Sequence, residues 1–416
     1  MTDTGKRLGW LQALRGVAAV SVVTCHCLIN LPKTPPYLAV IAVLDGLGTG
    51  VDLFFVISGF IMVHTTQGDP GGVRSAARFA MRRLQRIWPA YFVLTLAIGF
   101  SSFGWSLIGD EATRVRLVKS ILFVPANYDG VYAHQIIAQG WTLGFEVYFY
   151  GIFAISLLFA RARWIFLAAW WVVTLVAVPL AYHASLTDVF QSYATTDYPV
   201  EYLKLATNPF IWEFVAGGVA GLIYHSALRI ESAVLCSALA RAAIALAIWN
   251  TFDPFVSGAL GVGLVFAMMI TAVSVASKTI EIRAPRMLSY LGDISYTLYL
   301  EHLAIIYALQ AVYGFLGLKA QLSTFANILV TVAACILAAA LSSRFLEHDF
   351  LRLVFWIWKQ LRRNSSEQFR GLSLEVAGGI TLTDDCDSSS KGAGEINRLS
   401  RQPPGRSHDA LTYTNS

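Results

Sequence analysis

Residues 11–31 read LQALRGVAAVSVVTCHCLINL. The run is apolar for about 20 residues, the length that crosses a bilayer as a helix. Two residues interrupt it, Arg15 and His26. They stand eleven positions apart, roughly 16 Å along a helix axis and close to three full turns, so both side chains project from nearly the same face. Charged and titratable groups inside a span are costly and mark function by default. The plainer alternatives are an Arg15 that snorkels to the interface and a His26 that bonds a neighbouring helix. A second basic set, Arg74, Arg78, Arg82, Arg83 and Arg86, follows with no acid among its members. Arginine holds phosphate through two parallel hydrogen bonds, which would suit a phosphate-rich ligand; the same run also fits a lipid-binding or topogenic loop. Glu146 lies six residues into another apolar run, 141–160. A histidine beside a carboxylate suits abstraction of a hydroxyl proton, with the carboxylate orienting the imidazole.

The elements that must position these residues are membrane helices. The chain has 416 residues, of which 56% are hydrophobic and 14% charged, with a mean hydropathy of +0.57. Its apolar content is spread over many segments, as in an all-α polytopic membrane protein. About ten spans are expected: 11–31, 47–66, 88–104, 141–160, 164–182, 209–228, a short one within 229–254, 255–276, 287–313 and 323–345. Residues 76–88 are expected to lie on the membrane surface as an amphipathic helix, with Pro89 in the first turn of the third span. The first ten residues are too short and polar for a cleaved leader, so the first span is expected to stay in place. Residues 1–358 form one membrane-embedded domain in this reading. Residues 359–416, Ser/Gly/Asp-rich and poor in aromatic residues, read as a disordered cytoplasmic tail. The five cysteines show no metal or disulfide spacing, so no metal site is expected.

Lys and Arg set the orientation. With the N-terminus inside, eighteen fall in cytoplasmic segments and six outside, at Lys33, Arg114, Arg116, Lys119, Lys204 and Lys319. Both termini are therefore expected in the cytoplasm. Arg15, Arg83 and Arg86 then lie toward the cytoplasm, and His26 and Glu146 in the outer half of the membrane. Asp52, near the start of the second span, could cap its helix. Glu301–His302 could pack against a neighbouring span. The net charge of +5 sits beside spans, which suits lipid and phosphate and gives no reason to expect nucleic acid.

Five motifs, LQALRGVAAVSVVTCHCL, GVDLFFVISGFIM, RRLQRIWPAY, WTLGFEVYFY and GDISYTLYLEH, occur in order over about residues 8–355. Together they resemble the acyltransferase-3 family of integral-membrane O-acyltransferases, its exopolysaccharide-acetylating branch in particular; the family also includes lipopolysaccharide O-acetyltransferases. The resemblance implies transfer of an acyl group, usually acetyl, from cytoplasmic acyl-CoA to a hydroxyl of an extracytoplasmic or lipid-linked glycan, in the bacterial inner membrane. It implies no bound cofactor, and a polysaccharide-synthesis complex as a further partner. On the family's pattern, His26 is the functional histidine, and Arg15, Arg83 and Arg86 contact the CoA. Glu146 orients His26 or binds the acceptor, and Val147 stands where a second acid is common. Asp52, Trp141, Thr142, Tyr150 and His302 are candidates for substrate contact, with Thr142, Tyr150 and His302 open as donors to the polarised thioester oxygen. The competing expectation is a transporter or glycolipid flippase, which ten spans and intramembrane charges also suit.

Overall fold

The computed structural model describes residues 8–35, 37–124, 135–188, 198–253 and 259–346, and residue 360. The tail expected from 359 onward, Gln360 apart, lies outside the described residues. The elements below belong to one compact unit, Met1–Ile357. Among the described residues every element is helical: α1 (Gly9–Cys27), α2 (Tyr37–Leu44), α3 (Gly50–Thr65), α4 (Val73–Phe103), α5 (Ser106–Gly109), α6 (Glu111–Ile121), α7 (Gly140–Leu158), α8 (Arg163–Val172), α9 (Val178–Ala181), α10 (Glu201–Ala206), α11 (Ile211–His225), α12 (Ala233–Phe252), α13 (Ala259–Ala276), α14 (Arg286–Asp293), α15 (Ser295–Phe315), α16 (Lys319–Leu322) and α17 (Phe325–Arg344). Eight helical stretches among them are long and apolar enough to cross a bilayer; Leu260–Ala276 is apolar but shorter, and α11 has 15 residues. The protein is an all-α, multi-pass membrane protein.

Helix α1 is central because its buried face is built of small residues. Gly16, Ala18, Ala19 and Val22 are all buried, and small residues let backbones approach closely where lipid supplies no hydrophobic drive. At Gly16 an added Cβ would meet the Leu288 carbonyl of α14 at 2.6 Å; at Gly292 of α14 one would run into the Gln12 carbonyl of α1. The two glycines thus dock α1 on α14. A second close crossing joins α3 and α11, where Cβ atoms at Gly59 and Gly217 would strike the Phe214 and Val56 carbonyls.

Three elements differ from the sequence reading. Helix α4 runs unbroken for 31 residues with Pro89 inside it, instead of a surface helix followed by a span that Pro89 opens. Pro89 offers no N–H to the Gln85 carbonyl, but membrane helices tolerate proline where neighbours satisfy the freed groups. At 31 residues α4 is roughly 46 Å long, more than the ~30 Å hydrocarbon core. Its N-terminal turns therefore project beyond the core, with Arg74, Arg78 and Arg82 exposed. The stretch expected to be one span over 287–313 is α14 and α15, separated at Ile294. Ser295 Oγ donates to the Gly292 carbonyl across this break, at 2.8 Å. The seventh span, expected to be short, is the full 20 residues of α12.

Candidate active site

Helices α1, α3, α4, α7 and α15 line a partly open pocket whose empty space, open solvent included, is about 720 Å³. Arg15 enters from α1, Ser58 from α3, Arg83 and Arg86 from α4, Thr142, Glu146 and Tyr150 from α7, and Ser295, Tyr296 and Tyr299 from α15. Thr142, Glu146 and Tyr150 are spaced at i, i+4 and i+8, which places them on one face of α7. The continuous course of α4 brings Arg83 and Arg86 to the same cavity, and the break before Ser295 sets the start of α15 against it.

The polar groups are tied to one another. Glu146 Oε1 accepts from Ser58 Oγ at 3.0 Å and from the Tyr150 hydroxyl. Arg83 Nη2 donates to Thr65 Oγ1 at 2.9 Å, and its guanidinium lies 5.4 Å from the Phe79 ring centre and 5.5 Å from that of Tyr150. Cation–π contacts of this kind hold a guanidinium in place without neutralising it. Glu146 is within electrostatic reach of Arg83. The Tyr296 hydroxyl donates to the Ile87 carbonyl at 2.7 Å, which fastens α15 to α4 just past Arg86. The arrangement is a cationic cleft with one anchored carboxylate, suited to an anion attached to an apolar arm.

His26 stands outside the pocket lining. Its Nδ1 lies 2.9 Å from the Val22 carbonyl; only a protonated Nδ1 can bond a carbonyl, so the neutral ring carries its lone pair on Nε2. The ring is half-buried and lies 4.9 Å from the His302 ring, centre to centre. His302 is fully buried, with Nδ1 2.7 Å from the Tyr299 carbonyl and a buried Nε2 that has no hydrogen-bond partner. The Tyr299 ring is 5.8 Å from that of His302, and its hydroxyl is 2.9 Å from Thr142 Oγ1. Gln139 Nε2 donates to the Leu300 carbonyl at 3.1 Å and holds the start of α7 against α15. The pocket and His26 are therefore linked through Thr142, Tyr299 and His302.

Six of the ten residues singled out from the sequence, Arg15, Arg83, Arg86, Thr142, Glu146 and Tyr150, share this cavity. His302 joins His26 one ring layer away. Glu146 does not reach His26: its hydrogen bonds go to Ser58 and Tyr150, and the Val22 carbonyl orients the imidazole instead. Asp52 does not cap α3 through its side chain; its carboxyl lies against that of Glu213 on α11. Trp141 packs on Phe145 and Phe210, with ring centres 6.1 and 5.6 Å away. Ser58 and Tyr299 were not singled out. Tyr299 was readable in GDISYTLYLEH, where Tyr296, Tyr299 and His302 follow at three-residue steps along one side of a helix. Ser58 reads only as a small packing residue until Glu146 is placed beside it.

The family described as an acyltransferase domain matches residues 8–344. The exopolysaccharide production protein ExoZ of Rhizobium meliloti (strain 1021) is 30% identical over 285 residues, covering 67% of this chain and 83% of that relative. The peptidoglycan O-acetyltransferase OatA of Listeria monocytogenes serovar 1/2a is 25% identical over 371 residues; the match spans 81% of this chain but only 54% of OatA. No solved structure matches.

Proposed function

The chain belongs to the acyltransferase-domain family of membrane proteins, and on that premise we propose that it moves an acyl group, acetyl by preference, from cytoplasmic acyl-CoA to a hydroxyl of an extracytoplasmic or lipid-linked glycan in the bacterial inner membrane. The observation that carries the reading is the shared cavity: three arginines and a carboxylate from three helices converge on it, and a chain of contacts links it to a histidine with an open nitrogen. Arg15, Arg83 and Arg86 receive the phosphates of CoA, and the pantetheine arm extends into the cavity. Its reach is of the same order as the roughly 16 Å rise between Arg15 and His26. Glu146 anchors Tyr150 and Ser58 and offsets the arginine charge near the thioester. His26, half-buried and with Nε2 as its lone-pair nitrogen, takes the proton of the acceptor hydroxyl as general base. The relatives act, by their names, in exopolysaccharide production and on peptidoglycan, which supports a glycan acceptor here.

The test is transfer itself. Membranes holding the natural chain should move label from radioactive acetyl-CoA into glycan. His26→Ala should fold and express normally yet transfer about 10²–10⁴-fold more slowly, the usual contribution of a general base. Near-normal acylation in that variant would remove His26 from the mechanism. A flippase would leave the label in acetyl-CoA.

A further inference from the structure

Helix α6 takes no part in the pocket, yet its composition is unusual for an exposed loop element. It has 11 residues, roughly 16 Å, too few to cross a hydrocarbon core of ~30 Å. Asp110 caps it, accepting from the Thr113 N–H at 2.8 Å, and Glu111 opens its first turn. Past Glu111 the charged residues are all cations, Arg114, Arg116 and Lys119. They make up half of the Lys and Arg expected outside, although orientation alone favours few cations there.

The helix has two dissimilar sides. Val115, Val118 and Leu122 follow at i, i+3 and i+7, one stripe along a helix, and all three are exposed. Arg114 and Lys119 flank that stripe, each roughly 70° around the axis at 3.6 residues per turn. The exposed apolar surface continues on α5, through Ile108 and through Trp105, which is 83% exposed. The other side of α6 holds the protein. Ser120 is fully buried, and its Oγ accepts from the Ile136 N–H at 2.9 Å. Arg116 Nη2 donates to the Gln135 carbonyl at 2.9 Å, with its guanidinium 5.5 Å from the Phe103 ring centre of α4. Gln135 Oε1 in turn accepts from the Tyr91 hydroxyl of α4 at 3.1 Å. Residues 135–139 lead straight into α7, whose first two turns carry Thr142 and Glu146.

We propose that α5 and α6 lie along the membrane surface where α4 leaves the bilayer, with Trp105, Ile108, Val115, Val118 and Leu122 in the lipid and Arg114 and Lys119 level with its phosphate groups. The occupant of the stripe is lipid because cations stand on both flanks. Long basic side chains reach up to headgroups while the stripe between them enters the acyl region, and a tryptophan beside the stripe suits the same depth. Continuity points the same way: α4 ends at Phe103, and Gly104, at φ 53°, turns the chain into α5. Through Ser120 and Arg116 this seat fastens residues 135–139, so the lipid surface helps fix the segment from which α7 starts. The inference concerns the membrane seat alone and does not depend on the transfer reading.

The experiment uses the full chain, native cysteines replaced, in nanodiscs of phosphatidylethanolamine and phosphatidylglycerol. Nitroxide labels go singly on cysteines at Ala112, Val115, Val118 and Leu122. Labels at Val115, Val118 and Leu122 should relax with lipid-soluble oxygen and be shielded from a water-soluble nickel chelate, with the reverse at Ala112. Nickel access at Val118 and Leu122 equal to that at Ala112 would put the stripe in water and overturn the seat. Shielding of both from oxygen and nickel alike would mean a protein cover and overturn it too. Val118→Glu places a charge in the stripe and leaves the protein-facing side intact, which size exclusion checks. The Leu122 label should then gain nickel access, and backbone hydrogen exchange within 135–139 should quicken about tenfold as the fastening loosens. A Leu122 label that stays in lipid would count against the seat, and exchange that stays slow would overturn the link to α7.

Discussion

Arg83 and Arg86 are three residues apart on one helix and share a cavity, yet their surroundings differ. Arg83 is committed to Thr65 and to two aromatic rings, whereas Arg86 has no hydrogen-bond partner among the described residues and lines the same space. Removing each should therefore fail differently. Arg86→Ala should weaken acetyl-CoA binding by about ten- to a hundredfold, the equivalent of one lost charge-assisted hydrogen bond of roughly 1.5–3 kcal/mol, with little change in melting temperature. Arg83→Ala should weaken binding and also lower the melting temperature, because it removes the contacts that hold α4 to α3 and α7. Lysine at position 83 keeps the charge but not the planar fork, so Arg83→Lys should recover only part of the affinity. Calorimetry and thermal unfolding in detergent measure the two effects separately. Unchanged affinity in both alanine variants would make these arginines topogenic and nothing more.

At the scale of elements, the site depends on how closely the helices cross. Gly292 of α14 faces the Gln12 carbonyl of α1 with no room for a side chain. Gly292→Val should push α14 away from the helix that carries Arg15 and His26, at a cost of about 1–3 kcal/mol or more, and lower both melting temperature and transfer. Gly151, on α7, is exposed with nothing within 4 Å of an added Cβ. Gly151→Ala should leave transfer intact and gain up to about 1 kcal/mol of helix stability. Equal loss in the two variants would mean that close approach is not what Gly292 supplies. The same crossings explain what was legible in advance. Hydropathy marks where helices run, and polar groups within apolar runs mark Arg15, His26 and Glu146, because each is costly where it stands; Arg83 was marked by the arginine run to which it belongs. Partners are a matter of helix rotation and packing, which one chain read in order does not contain. That is why Glu146 appeared to belong with His26 although it binds Ser58 and Tyr150, and why Tyr299 went unremarked in a motif whose histidine was noticed. Proline misled for a related reason: Pro89 is a helix opener in water but sits mid-helix here, a position that membrane helices tolerate.

At the scale of the whole molecule, the mechanism depends on sidedness. Arg15 and His26 are separated by nearly three turns of α1, so the arginine end and the histidine end face opposite leaflets whenever α1 crosses the bilayer. We take α11 and α13 as crossings in addition to the eight longer stretches, which makes ten and returns the chain to its starting side. In the topology expected from the sequence, eighteen of the Lys and Arg lie in inner segments and six in outer loops, the bias that orients multi-pass proteins. Exposed positions allow a direct test in a background with the native cysteines replaced. Thr34, after α1, and Ala112, on α6, should face outward; Ala77, on the projecting turns of α4, and Glu231, between α11 and α12, should face the cytoplasm. Single cysteines at Thr34 and Ala112 should react with an impermeant thiol reagent added to intact spheroplasts. Cysteines at Ala77 and Glu231 should react only after lysis. Labelling of Ala77 from outside would turn the arginine cavity away from the cytoplasmic acyl-CoA pool, and donor entry through Arg83 and Arg86 would then be impossible. Labelling of Glu231 from outside, with Ala77 still protected, would leave the cavity in place but remove one of the crossings between α4 and α12. The ten-span count would then be wrong while the donor side of the mechanism stood.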